Sequence, residues 1–226
     1  MPTVRNEQSS HRATPRPVVD RRTFVAMVLS VAATGCASDG TDGELLEVDY
    51  ARPVFDEAHF VPGVPSGTLR RKHRRQVVAY LTAEQPGTVV VETGARFLYL
   101  VQPGGRAIRY GIGIGREGFL WKGRATVGAK RAWPTWTPPA EMIARDPRLG
   151  AFGGGAGGMS GGTDNPLGAR ALYLHRDGRD TLYRIHGTND AGSLGSEVTA
   201  GCVRMLNVDV IDLYDRVPQG ATVVVL

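Results

Sequence analysis

In the stretch "HGTNDAGSLGSEVTAGCVRM", residues 186–205, a histidine stands sixteen positions before a cysteine, and an arginine follows two positions after it. A thiol beside an imidazole is an acyl-transfer pair. A free thiol has a pKa near 8.5, so only a few per cent is thiolate at neutral pH. A positioned base improves on that by roughly 10²- to 10⁴-fold. Cys202 is therefore a candidate nucleophile and His186 its candidate general base. Gly201 lets the backbone turn tightly before the thiol and expose N–H groups to a developing oxyanion. Gly187 permits a sharp exit from the histidine and close approach of main-chain atoms, so Gly201 and Gly187 are the candidate oxyanion and orientation positions. Arg204 can steady a carbonyl or bind a substrate carboxylate. Singly, each residue has a plainer use: a strand-end histidine as packing, a buried cysteine as filler, an arginine as a structural ion pair.

The elements that must position these residues are mostly strands. "QVVAYLT", "TVVVET", "ARFLYLVQ" and "AIRYGIGIG" are β-branched and aromatic runs separated by Gly and Pro. They predict a β-meander. Arg96, Leu98 and Leu100 are expected on one strand face, with Phe97, Tyr99 and Val101 on the other. "ALYLHRDGRDTLYRIH" reads as a hairpin turning at Asp177-Gly178. It places Leu182, Arg184 and His186 on one face of the return strand and His175 across the hairpin from His186, as packing, a surface residue or a substrate contact. "TPPAEMIARDP" predicts a short helix that starts at the two prolines and stops before Pro147. "LNVDVIDLYDRV" predicts a second helix with Asn207 as N-cap and Val208, Ile211 and Tyr214 at helical spacing. A terminal strand "ATVVVL" follows. Trp121, Trp133 and Trp136 are read as core or rim packing, or as a wall for an extended substrate. The Gly-rich segment 150–168 is read as a mobile surface loop, or as a lid. Asp190 suits a loop cap.

His186-Gly187, a spacer, then Thr199-x-Gly201-Cys202-x-Arg204 resembles the signature of the L,D-transpeptidase catalytic domain, the YkuD-type family. "PGTVVVETGARFLYLV", "WPTWTPPAEMIARDP" and "NPLGARALYL" look like blocks of its cell-wall branch, and the resemblance covers roughly residues 75–226. It implies a mainly β domain, a sandwich or barrel of mixed sheets with short flanking helices. It implies Cys202 as nucleophile and His186 as base, the ring oriented by a main-chain carbonyl rather than a carboxylate. Thr199 matches the family's Ser/Thr position, where it would hydrogen-bond near the thiol and contribute with Arg204 to substrate binding. Many members carry a second histidine where this chain has Ala200, which leaves His186 as the only matched base. The implied substrates are peptidoglycan stem peptides. The implied acceptor is a neighbouring stem, an outer-membrane protein, a D-amino acid or water. The rival readings are an L,D-carboxypeptidase or cysteine hydrolase, and a silent wall-binding module. No metal or cofactor is implied, and no residue cluster has zinc-ligand spacing.

The chain's 226 residues divide on this reading into an export leader (1–36), a flexible tether (37–74) and the catalytic domain (75–226). Arg21-Arg22 with Phe24, followed by an apolar run too short to span a bilayer, resembles a twin-arginine leader. The run ends at Ala33-Thr34-Gly35-Cys36, which resembles a lipobox with Ala33 where Leu is usual. Lipidation of Cys36 and ordinary cleavage are the alternatives. Either leaves Cys202 without an intrachain partner in an oxidising compartment, where an unused thiol is a liability. A Cys36–Cys202 disulfide is the third reading. The expected location is the periplasm or cell envelope, with membrane attachment only through a lipid anchor. Five of the 27 basic side chains and two of the 22 acidic ones lie in residues 1–36. The remainder is close to neutral, which gives no basis for nucleic-acid binding. "RRKHRR", residues 70–75, is read as a solvated charge run, or as a patch attracted to anionic lipid or wall polymer.

Overall fold

The computed structural model describes residues 43–115, 122–198 and 202–226. The leader, Cys36, residues 37–42, Trp121, Thr199, Ala200 and Gly201 lie outside the described residues.

Three short strands open the described chain: β1 (Glu44–Leu45), then the hairpin β2 (Val54–Asp56) and β3 (His59–Val61). The strands of the predicted meander follow as β4 (Gln76–Ala79), β5 (Val89–Glu92), β6 (Phe97–Gln102), β7 (Arg106–Gly111) and β8 (Gly113–Gly115), but only β5, β6 and β7 pair in succession, while β4 adds to the far side of β7 and β8 pairs with strands near the end of the chain. Next come β9 (Gly123–Ala132), the helix α1 (Ala140–Arg145), and the hairpin β10 (Arg170–Arg176) and β11 (Arg179–Thr188). The chain ends with β12 (Glu197–Val198), β13 (Val203–Leu206), α2 (Asn207–Arg216) and β14 (Thr222–Val225). Among the described residues one sheet of twelve strands runs β1-β4-β7-β6-β5-β14-β9-β10-β11-β13-β8-β12, and β2 and β3 form a separate pair. Pairs β11–β13, β5–β14 and β8–β12 are parallel, and the others are antiparallel. The fold is thus mainly β with a mixed sheet, as the sequence predicts.

Alternation sets the core. Leu98 and Leu100 join Val89, Val91, Ile108, Tyr110, Leu172, Ile185 and Met205 in the main core, which Val210 and Leu213 of α2 close. Tyr99 and Val101 face the opposite way into a second cluster with Val90 and Val224. The inward face of α2 is Val210 and Leu213, continued by Val217 just past its end, and the predicted Val208, Ile211 and Tyr214 pack at its edges. Asn207 is the first helical residue, with Leu206 at the cap. Its amide ties neighbouring segments together instead of capping the helix.

Two expectations are corrected between residues 43 and 75. From Gly43 on, the segment predicted to be a flexible tether is packed. Tyr50 and Leu69 are buried against Ala191, Leu194 and Leu206, and Val61 against Trp133 and Ala169. The β2–β3 hairpin is pinned by Asp56, which accepts hydrogen bonds from Trp133 Nε1 (2.8 Å) and from Arg170 Nη1 (2.6 Å) and Nη2 (2.9 Å). Nor is "RRKHRR" wholly solvated. His73 and Arg75 are buried. His73 lies over Gly111 and Gly195, where a Cβ would come within 2.6 Å and 2.4 Å of it.

Arg75 is paired with Asp212 and lies 3.8 Å from Asp209. The Asp209 side chain is fully buried and accepts from Tyr50 Oη at 2.9 Å. Burial pushes its pKa up to about 7, against the pull of the Arg75 guanidinium. One cation thus serves two carboxylates beneath α2. Arg75→Ala takes the cation from buried Asp209, while Asp212 keeps Arg216 and the Tyr110 hydroxyl, and removing one partner of a buried pair costs about 3–5 kcal/mol. We expect a loss of that size in denaturant unfolding, with the midpoint falling and the m-value unchanged.

Candidate active site

Past His186 the chain leaves β11 and returns as β13, which runs parallel to β11. The register sets Ile185 opposite Val203 and His186 opposite Arg204. His186 and Arg204 therefore share a face, and Cys202 lies in the bend just before β13. All three line one cleft of about 580 Å³. Trp136, Met142 and Arg145, Pro166 and Leu167, and Thr181, Leu182 and Tyr183 complete its walls. Cys202 is a half-buried thiol.

His186 is buried, and its Nδ1 lies 2.9 Å from the carbonyl oxygen of Gly187. A carbonyl only accepts, so Nδ1 carries the proton and donates it, which leaves Nε2 as the basic nitrogen. This is the main-chain orientation that the family resemblance implies. Burial lowers the pKa of His186 to about 4. The Gly187 carbonyl opposes that shift, and the Arg204 guanidinium adds to it. The ring is thus neutral at pH 7, the state a general base requires.

Gly187 serves orientation only. Its N–H donates to Leu167 O at 3.0 Å, so it is committed and does not face an oxyanion. A Cβ at Gly187 would meet Asn207 Oδ1 at 2.0 Å. That oxygen accepts from Ala169 N (2.9 Å), and Asn207 Nδ2 donates to Asn189 Oδ1 (2.6 Å). Asn207 thus clamps both sides of the histidine's exit, a role the sequence does not announce. Gly187→Ala must displace this clamp. We expect a destabilisation of about 1–3 kcal/mol, the cost of overpacking, and a shift of the His186 imidazole proton resonances, measured by denaturation and by NMR.

Arg204 is half-buried, and its Nε is buried with no hydrogen-bond partner among the described residues. Gly201 and Thr199 lie outside the described residues. His175 does not approach His186. It pairs with Asp180, whereas Ala171 stands opposite His186, and its ring covers Gly128. Asp190 caps a turn as expected, accepting from Gly192 N at 3.0 Å. Of the tryptophans, Trp133 is buried and stacks on His59 with ring centroids 4.1 Å apart, while Trp136 lines the cleft. The Gly-rich segment is tied down. Trp136 and Met159 exchange main-chain hydrogen bonds of 2.9 Å and 2.7 Å. Asn165 Nδ2 donates to the carbonyls of Pro134, Met159 and Ser160. The segment reaches the cleft only at its end, through Pro166 and Leu167.

The family model of the YkuD L,D-transpeptidase catalytic domain matches residues 86–225, more than half of the chain. The chain belongs to this family. It is 37% identical over 188 residues to the probable L,D-transpeptidase YbiS of Escherichia coli K12, covering 80% of this chain and 58% of that protein. It is 35% identical over 147 residues to the probable L,D-transpeptidase ErfK/SrfK of the same organism, covering 61% and 43%. The chain thus spans about half the length of these curated relatives. A solved structure from Brucella melitensis, described as a probable carnitine operon oxidoreductase, is 51% identical, covering 68% of this chain and 93% of that one, with a TM-score of 0.47. That superposition carries no argument, and the oxidoreductase description stays with that protein. The membership rests on the sequence match.

Proposed function

We propose that this chain is a peptidoglycan L,D-transpeptidase with Cys202 as nucleophile and His186 as general base and acid. The supporting observation is the imidazole fixed by Gly187 O, with Nε2 free to take a proton, in the cleft that also holds Cys202 and Arg204. His186 Nε2 takes the thiol proton as sulfur attacks the carbonyl between the diamino acid and the terminal D-Ala of a stem tetrapeptide. The C–N bond breaks, and the same proton passes to the departing D-Ala amine. A thioester on Cys202 remains. An amine then attacks it, gives a proton to His186, and restores the thiol. Arg204, which lines the same cleft, takes the D-Ala carboxylate. By the family resemblance, Gly201 offers the oxyanion a backbone donor and Thr199 bonds near the thiol. The acceptor is a neighbouring stem's diamino acid, giving a 3–3 cross-link, or an amine of an outer-membrane protein.

The leader grammar places the protein in the periplasm or envelope, with Cys36 as its lipid anchor. Among the described residues no helix is long and apolar enough to cross a membrane. The reaction is tested by supplying a disaccharide-tetrapeptide together with an amine acceptor. Release of D-Ala with the amine joined to the product supports transpeptidation. Release with water alone assigns an L,D-carboxypeptidase, and no release contradicts the proposal.

A further inference from the structure

Leu182 is placed wrongly for both its backbone and its side chain, if the fold alone is considered. Its φ is +64°, in the left-handed region. There a Cβ crowds the following carbonyl, and Gly or Asn is the ordinary occupant. It is also 77% exposed, where a leucine gains nothing from burial. The cause is a bulge in the β10–β11 hairpin. Tyr173 pairs with Arg184 and His175 with Asp180, so Leu174 alone faces Thr181, Leu182 and Tyr183. Bulges next to active sites re-aim side chains.

The bulge is braced on every side. Asp180 Oδ1 accepts from Leu182 N at 2.8 Å. Asp180 is itself held by Arg184 through contacts of 2.7 Å and 2.8 Å. Thr181 Oγ1 donates to Leu174 O (2.6 Å) and accepts from Tyr183 N (3.2 Å). A strained conformation fixed by this many bonds holds one side chain in one place. That place is the wall of the cleft shared with Cys202 and His186, which Trp136 and Met142 also line.

We propose that Leu182 is a substrate-positioning residue, which holds the aliphatic side chain of the donor peptide's diamino acid while Cys202 is acylated. The inference rests on the transpeptidase reading. Leu182 lies four residues upstream of His186 across the bulge, at most roughly 13 Å away along the chain. That distance suits a contact with the long side chain preceding the scissile bond rather than with the departing D-Ala. The chemistry it selects is a donor residue with a methylene chain, which a short or polar residue at that position does not supply.

The test compares the wild-type chain with Leu182→Asn and Leu182→Met, using a disaccharide-tetrapeptide donor and the rate of thioester formation followed by intact mass. Asn adopts the left-handed backbone readily but offers no apolar surface. Leu182→Asn is expected to lower the second-order acylation rate about 10-fold, the loss of a modest apolar contact. Its Tm should stay level or rise by about 2 °C as strain is relieved. Leu182→Met should acylate within about twofold of wild type, because it restores the apolar reach. Wild-type acylation by Leu182→Asn overturns the proposal. So does a lower Tm in that variant, which would make the leucine a requirement of the fold, and so does an effect confined to thioester breakdown. A wild-type protein that forms no thioester is a different failure, because it contradicts the transpeptidase reading itself and this inference falls with it.

Discussion

Replacing Cys202 with alanine is expected to abolish the acyl-enzyme and to lower D-Ala release by about 10⁴-fold or more, the scale seen when a covalent nucleophile is removed. The fold should be untouched. Cys202 is half-buried just before β13, outside the main core, and its carbonyl still accepts from Gly115 N at 3.3 Å whatever side chain it carries. Unfolding curves should therefore overlay those of the wild type while turnover disappears. Cys202→Ser is expected to be almost as inactive. His186, with its pKa lowered to about 4, is too weak a base to activate an alcohol far less acidic than a thiol. A variant at Cys202 that still released D-Ala at a substantial rate would exclude the cysteine as nucleophile.

The second large effect is at His186. His186→Gln keeps a hydrogen-bonding side chain but has no basic nitrogen, and a loss of about 10²- to 10⁴-fold in kcat/KM is expected. The pH profile carries the sharper information. A base works in its unprotonated form. Burial destabilises the imidazolium, so His186 stays unprotonated well below the usual histidine value of about 6.5. Lowering the pH through 6.5 should therefore leave kcat/KM unchanged on the acid side. The rate should fall only as the pH passes through about 4, by about tenfold per unit below it. His186→Gln should lack that limb. An acid limb near 6.5 in the wild type would mean that the ring is solvated rather than buried.

Much of the site is legible in the sequence because its parts are local. Two short motifs hold the thiol, the histidine and the arginine, and strand alternation with the Asp177-Gly178 turn is enough to place His186 at a strand end. Period-2 reasoning also separates Leu98 and Leu100 from Tyr99 and Val101. What the sequence hides is set by distant partners. Arg75 reads as one charge in a basic run because Asp209 and Asp212 lie more than 130 residues away. Residues 43–74 look like a tether because the hairpin's anchor, Asp56, pairs with Trp133 and Arg170, far along the chain. Asn207 has the residue type of an N-cap, yet its amide is taken by Ala169 and Asn189. Leu182 fits the alternating pattern and would share a face with Arg184 and His186. The bulge that removes it from that pattern depends on Thr181 bonding across to Leu174, and hydrophobicity carries no trace of that bond.

The most direct test of the account is intact mass spectrometry of the chain from Ala37 onward, which forms one compact unit, mixed with a disaccharide-tetrapeptide. Cys202→Ala serves as the control. The expected result is a mass increase equal to the donor minus D-Ala, present in the wild type, absent from the control, and discharged on adding an amine. A folded wild-type protein that gains no mass and releases no D-Ala would contradict the central claim.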